Sequence, residues 1–340
     1  MTGTSLRTYL ITRLALVVPM VLILLTLVFL LMRVAPGNPI QAALGGHVPD
    51  SVVKPIEHRL GFDKPLLTQY GDYLWDILRG NFGTTITDNR PLSQIISQNG
   101  AATLELTFFA MLIAIVVGVA VGLVAGRYRD TWLDVGGRMF GIVVYATPPF
   151  FLGLLAQLVF GIWLGWLPTS DQASPLTQAL LKTHTNILFV DAIWDGDWGA
   201  LWDVTKHLIL PATTLGLITA GVFVRLVRVN VIRTMRDDYI EAARARGIAE
   251  RRVVYSHAFK NALVPVITVV GLNLALLLGG AVLTETTFNW PGIGHELVLY
   301  LENRDYAGVQ GIIVVFALVV VAVSVIVDFI NAYVDPRIRY

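Results

Sequence analysis

Six long stretches of this chain carry almost no charged side chains, and that pattern decides most of what it can fold into. They run Leu14 to Met32, Leu106 to Gly126, Met139 to Ser170, Leu208 to Val224, Asn261 to Thr284 and Tyr306 to Val327. A helix crossing the hydrocarbon core of a bilayer needs about 20 predominantly apolar residues, so each run reads as one membrane-spanning helix or nearly so. Composition agrees. Only 14% of residues are charged and 55% are hydrophobic, with a mean hydropathy of +0.66, whereas soluble domains carry about 25% charge.

The third run exceeds one span and contains Pro148 and Pro149, so a kinked helix ending near Trp166 is expected. The fourth holds Pro211 near its start. Proline suits a first helical turn, where its missing N–H would be unpaired anyway. The first run follows Arg7 and Arg13 but is too long for a signal-peptide core, and no small-residue cleavage pattern precedes Arg33, so a retained anchor helix is expected.

Positive side chains set the orientation. With six spans and both termini on one side, that side collects 16 of the 25 lysines and arginines, nine of them between Arg225 and Lys260. Acids gather opposite, in the segments after the first and third runs and at Glu285, Glu296, Glu302 and Asp305. Both termini and the polar stretch Asp237 to Pro265 are thereby assigned to the cytoplasm.

The first outer segment is too long for a simple connection and is expected to have structure of its own. Within it Leu66, Leu67, Tyr70, Leu74, Ile77 and Leu78 recur at helical spacing, the pattern of an amphipathic helix. The segment Thr169 to His207 interleaves Trp194, Trp198 and Trp202 with acids, which suits anchoring at an interface.

Motifs for bond chemistry are missing. The chain has no cysteine and its six histidines form no i, i+4 pair, so thiolate sites and a zinc protease helix are excluded. There is no P-loop and no nucleophile elbow. Gly136, Gly137 and Gly141 lie at a span entrance without a preceding strand and read as helix-packing positions. Glu105, Asp328, Arg225 and Arg228 lie near the ends of apolar runs, where snorkelling relieves the penalty of burial. A charged relay at mid-depth, which ion-coupled transport usually needs, is absent from the sequence.

The stretch from Asp237 to Pro265 is the exception to an otherwise apolar chain. Asp238 followed by Glu241 forms an aspartate capping box that starts a helix at Tyr239. Ala242, Ala243 and Ala245 keep that helix narrow. Gly247 ends it in the left-handed conformation. A second helix from Glu250 to Phe259 sets Val253, Val254, Tyr255 and Phe259 against Arg251, Arg252, His257 and Lys260, and Pro265 opens the next span. Two short helices at an angle make a knob for docking, or else an ordinary interfacial loop.

Glu241, Ala242, Ala243, Gly247 and Pro265 resemble the coupling loop of permease subunits of binding-protein-dependent ABC importers. Arg33 to Pro39 (RVAPGNP), Leu60 to Tyr70 (LGFDKPLLTQY), Phe288 to Gly294 (FNWPGIG), Arg304 to Gly311 (RDYAGVQG) and Asp335 to Tyr340 (DPRIRY) resemble the dipeptide, oligopeptide and nickel branch of that family. Asn38 and Asn81 depart from the aspartates often found there. The resemblance implies an all-α polytopic membrane protein of six transmembrane helices with the type I importer permease fold. It divides the chain into a first transmembrane helix (1–33), an extracytoplasmic loop subdomain (34–101), a permease core (102–334) with coupling helices at 237–260, and a cytoplasmic tail (335–340).

It further implies a bacterial inner-membrane subunit without catalytic residues of its own. Its partners would be a second homologous permease in a heterodimer, two cytoplasmic ATPase subunits that bind ATP and Mg, an extracytoplasmic binding protein and the lipid bilayer, with no nucleic acid. The coupling surface would comprise Glu241, Ala242, Ala243, Gly247, Arg251 and Pro265, without any metal site. Tyr70, Tyr73, Trp290, Pro291 and Gly292 are candidates for contact with the binding protein or for the outer gate. Pro148, Gln157, Thr213, Thr219, Thr268 and Asn273, polar or kink-forming positions of the third to fifth spans, are candidates for the translocation path. Peptides are the expected cargo, with nickel, glutathione or another small solute as alternatives. The competing class is an ion-coupled secondary transporter, which would work without ATP and stop when the ion gradient collapses.

Overall fold

Why each apolar run becomes a helix follows from its solvent, since lipid offers no partner for backbone N–H and C=O groups and a helix pairs them internally. The computed structural model describes residues 6–34, 38–46 and 48–334, and its regular elements there are helices, with one isolated antiparallel bridge between Thr84 and Pro91. The principal helices are α1 (Leu6–Val34), α2 (Leu66–Leu78), α3 (Leu92–Arg127), α4 (Trp132–Ala146), α5 (Pro149–Trp163), α6 (Trp198–Thr234), α7 (Asp238–Ala245), α8 (Val264–Gly280), α9 (Val282–Thr287), α10 (Ile293–Glu302) and α11 (Tyr306–Val334). Among the described residues, α1, α3, α6 and α11 are long and apolar enough to cross a membrane, and α4 with α5 reach that length and hydropathy only as a bent pair. The Asn261 to Thr284 run supplies α8, whose apolar stretch Val269–Leu278 is shorter.

Three sequence expectations are corrected. The run from Met139 breaks into two helices instead of one kinked helix: α4 and α5 bend by 103°, because Thr147, held extended by the proline after it, cannot continue α4. Pro211 lies inside the 37-residue α6, well past its first turn. Residues before it stay helical because Asp197 caps the start, its Oδ1 accepting from the Ala200 N–H at 2.9 Å, and because Ala200, Val204 and Leu208 are buried. The boundary expected at residue 101 falls within α3, which begins at Leu92 since Leu92 and Ile95 pack with Ile293, Tyr300 and Ile312.

The centre of the fold is the pairing of α3 with α6. Gly118, Gly122 and Gly126, four residues apart, present one bare stripe of α3. A Cβ added at Gly122 would sit 2.8 Å from the Val224 carbonyl oxygen, and one at Gly126 would sit 3.1 Å from that of Arg228. Backbone-to-backbone approach of this kind holds helices together where lipid supplies no hydrophobic drive. Around the pair, α11 packs against both α1 and α8, and α1 leaves the apolar Leu16, Ile23 and Leu31 exposed.

The segment between α1 and α3 folds onto α1 and α11. Arg33 donates from Nε to Gln69 Oε1 at 2.9 Å and from NH1 to Gln310 Oε1 at 3.2 Å, and its guanidinium lies over the Phe29 and Phe62 rings. Asp305 is fully buried, accepting from the Ile86 and Thr87 N–H groups at 2.6 and 2.8 Å. Asn38 accepts from the Ile40 N–H at 2.9 Å and donates to Glu57 at 2.6 Å. An aspartate could accept but not donate, so the amide suits this chain. The segment between α5 and α6, with the start of α6, gathers Ala173, Leu181, Leu188, Ala192, Ala200 and Val204 into its own small core. Residues 335–340, which carry the terminal DPRIRY stretch, and 35–37 of RVAPGNP lie outside the described residues.

Candidate functional site

The helix α7 starts after Asp237, whose extended backbone makes it the cap residue, although its side chain makes no cap hydrogen bond. The expected box starting at Asp238 is therefore corrected by one position. Asp238 and Glu241 lie in the first turn instead, where negative charge meets the positive end of the helix dipole. At the other end Gly247 has φ +75°. Its N–H donates to the Arg244 carbonyl at 2.9 Å and the Ile248 N–H donates to that of Ala243 at 3.2 Å. These two bonds form the left-handed closure that satisfies the last carbonyls of a helix.

After the turn the chain is helical from Glu250 to Ala262, with a widened π turn over Val253–Ala258. Ile240 and Ala243 from one arm meet Val253 and Ala258 from the other, with Met235 and Ile248 beside them. Arg244 grips Glu250 through two bonds, 2.8 and 3.1 Å, and holds that carboxyl below its ordinary pKa. Tyr239 and Asn261 join the arms again at 2.9 Å. The result is a folded knob whose outer surface shows Glu241, Ala242, Gly247, Arg251 and Arg252, while Ala243 is turned inward. Pro265 falls in the first turn of α8; its side chain lies outside the described residues, as does that of Thr268.

The FNWPGIG stretch builds the opposite end. Glu285 is fully buried and accepts from Thr103 Oγ1 at 2.7 Å and from the His295 N–H at 3.0 Å. Any Cβ on Gly292 would collide with that carboxylate, which is why the position lacks a side chain. Trp290 is also fully buried and donates from Nε1 to the Ala102 carbonyl at 2.9 Å, while Asn99 donates to the Pro291 carbonyl at 3.0 Å. Trp290 and Gly292 thus fasten α9 and α10 to α3 from within, and Pro291 is half-buried beside them.

Tyr70 and Tyr73 also face inward. The Tyr70 hydroxyl bonds Thr26 Oγ1 at 2.6 Å, and both rings pack on Phe29. Burial pushes the Tyr73 phenol up to about 12. Outward from α2 point Leu66, Leu67, Trp75 and Leu78, with Leu67 84% exposed.

The path candidates do not converge. Gln157 donates to the Thr169 and Thr287 carbonyls at 2.7 and 3.0 Å, bracing the bend that Pro148 begins. Thr219 and Asn273 donate to carbonyls of their own helices, Leu215 at 3.0 Å and Val269 at 2.9 Å. Thr213 is half-buried on α6. Pro148, Gln157, Thr213, Thr219 and Asn273 are not among the described residues that line the cleft of about 790 Å³ between α4, α6 and α8.

Two buried charges escaped sequence reasoning. Glu105 does not snorkel: it is 2% exposed and takes hydrogen bonds from Gln172 and from the Phe189 N–H, tying α3 to the segment between α5 and α6. Asp134 is wholly buried and accepts from Arg228 Nε at 2.5 Å and NH2 at 2.8 Å. The signal was present, an aspartate just before one run and an arginine just after another, but only the antiparallel approach of α4 and α6 joins them.

Comparison with known proteins identifies the family. Residues 118–340 match the family described as binding-protein-dependent transport system inner membrane component, and residues 6–107 match the N-terminal region of such membrane components. The chain is 39% identical over 332 residues to a dipeptide transport system permease protein of Alkalihalophilus pseudofirmus, covering 98% of this chain and 99% of that one. It is 38% identical over 329 residues to a di/tripeptide transport system permease protein of Pseudomonas aeruginosa, covering 96% and 97%. With a glutathione transport system permease protein of Pectobacterium atrosepticum it shares 36% over 332 residues, covering 98% and 99%.

Proposed function

Because this chain belongs to the family of inner membrane components of binding-protein-dependent transport systems, we propose that it forms half of the translocation pathway of an ATP-driven importer for peptides. Relatives matched end to end carry dipeptides, di/tripeptides and glutathione in their names, and the cargo class is taken from them. The other half is a second, homologous permease in a heterodimer, and an extracytoplasmic binding protein delivers the peptide. Two ATPase subunits holding ATP and Mg stand on the cytoplasmic side with both termini of this chain, in keeping with the excess of lysine and arginine there.

The observation that carries this reading is the knob. It has its own small core, a glycine-closed turn and an outer surface of acids, small residues and arginines, the features of a plug for a groove in the ATPase. ATP-driven closure of the ATPases acts on the plug and shifts the populations of inward-open and outward-open states. Since the chain has no cysteine, Glu241→Cys and Arg251→Cys give unique crosslinking sites. Both are expected to join to the ATPase in the assembled complex, and import of a labelled dipeptide is expected to need ATP and to survive collapse of the ion gradient. Import that stops with the gradient and proceeds without ATP would favour the secondary transporter.

A further inference from the structure

A second cleft, of about 260 Å³, opens where α1, α2 and α11 meet, and Arg33 lines it with Phe62 and Gln310. The guanidinium of Arg33 is stacked but not neutralised. It lies 4.7 Å from the Phe29 ring centre and 4.4 Å from that of Phe62. Of its five N–H donors, Nε is taken by Gln69 and one on NH1 by Gln310. Both acceptors are neutral amides, and no acid pairs with Arg33 among the described residues. A half-buried cation with three unmatched donors is costly unless an anion joins it.

The far end of the cleft has the opposite surplus. Gln69, Asp72, Tyr73 and Asp76 form one stripe of α2 along its wall. Lys64 is already held by Asp72 at 2.7 Å, and His58 by Asp63 at the same distance. Asp76 takes the Asn81 side-chain amide at 3.3 Å and forms no ion pair among the described residues. Seven helical residues separate Gln69, which holds the guanidinium, from Asp76, about 10 Å along the axis. Contacts of about 3 Å at each end leave on the order of 5 Å between an occupant's own charges. One residue spans about 3.5 Å and two about 7 Å, so a single amino acid falls short and a dipeptide reaches. Phosphate would suit Arg33 but meet Asp76 as a like charge.

We propose that this cleft is a second peptide site, apart from α4, α6 and α8, which takes the zwitterionic backbone of a dipeptide with its carboxylate on Arg33 and its ammonium on Asp76. Planar guanidinium and carboxylate groups match each other in this way. Phe82 and Ile77 in the same cleft supply apolar wall for small side chains. The choice of a peptide as occupant rests on the cargo class given under the proposed function, whereas the charge pattern of the cleft does not. An occupant there bridges the end of α1 to the stripe of α2.

The test is equilibrium dialysis of labelled dialanine against the complex of this chain with its second permease and ATPases. Saturable retention is expected. Arg33→Gln should lower the affinity roughly tenfold or more, and Asp76→Asn roughly three- to fivefold, since that end is exposed and screened. Asp76→Asn keeps the fold for the same reason, and decides the matter where Arg33→Gln does not assemble. N-acetyl-dialanine, which lacks the ammonium, should be indifferent to Asp76→Asn, and dialanine amide, which lacks the carboxylate, to Arg33→Gln. Arg59→Gln, at an exposed residue of the same cleft, should change nothing. The proposal is overturned by absence of saturable retention, by retention that Asp76→Asn leaves unchanged, or by alanine or inorganic phosphate competing as well as dialanine. Uptake of labelled dialanine into proteoliposomes, with the binding protein and ATP, is read separately. Import without retention at the cleft overturns the site and leaves the cargo class standing, whereas retention without import overturns the cargo class and leaves the site.

Discussion

Gly247→Val isolates the conformational part of coupling from every other contribution. A Cβ at this position would meet nothing within 4 Å, so the substitution introduces no clash and removes no packing. What it does is force a β-branched residue to φ +75°, a region that costs ordinary residues roughly 1–2 kcal/mol. The two bonds from Gly247 and Ile248 depend on that conformation, and they set the angle at which Ile240 and Ala243 meet Val253 and Ala258. A loss of this size lowers the population of the folded turn by about 5–30-fold. The assay is ATPase activity of the reconstituted complex with loaded binding protein. Stimulation is expected to fall in proportion for Gly247→Val, while Gly247→Asn, whose short polar side chain tolerates the left-handed region, stays near wild type. The complex should still insert in the membrane, since the spans are untouched. Full stimulation in the valine variant would falsify the idea that the turn transmits the stroke, and equal loss in both variants would point to side-chain contact with the ATPase.

Three further outcomes follow from the buried polar groups and from the outer helix. Asp134→Ala leaves Arg228, with only 18% of its side chain exposed, as an unpaired buried charge; a loss of about 3–5 kcal/mol is expected in unfolding of the purified protein. The double change Asp134→Leu/Arg228→Met should lose much less, and equal losses would rule out the ion pair as the cause. Gly292→Ala drives a methyl group into the Glu285 carboxylate and breaks its bonds to Thr103 and His295; roughly 2–3 kcal/mol of stability is expected to go with them, and an unchanged melting point would refute that account. On α2, a cysteine at the exposed Leu67 should crosslink to the binding protein or the second permease, whereas Tyr70→Phe should cost about 1 kcal/mol through its lost bond to Thr26 and leave crosslinking at Leu67 intact. Crosslinking from position 70 but not 67 would invert this assignment of faces.

How much the sequence determined can be followed residue by residue. Apolar length and helical spacing are local properties of a segment, so the four long spans, the amphipathic helix at Leu66–Leu78 and the knob after Asp237 were legible before any coordinates. Gly247 was legible too, because a left-handed turn restricts the residue type by itself. The 103° break in the third run, the helical course of α6 through Pro211 and the start of α3 at Leu92 were not. Each depends on packing that overrides a local preference: Ala200 and Val204 hold the chain before Pro211 helical, and Leu92 and Ile95 extend α3 beyond its apolar run. The FNWPGIG stretch was recognisable as a pattern, yet its chemistry was not, since Gly292 is explained by Glu285 seven positions earlier and Trp290 by the Ala102 carbonyl on another helix. The same holds for Asp134 and Arg228, two charges that sequence places near separate span ends. In lipid an isolated charge is expensive wherever it lies. Only the antiparallel packing of α4 on α6 decides that these two lie close enough to neutralise each other.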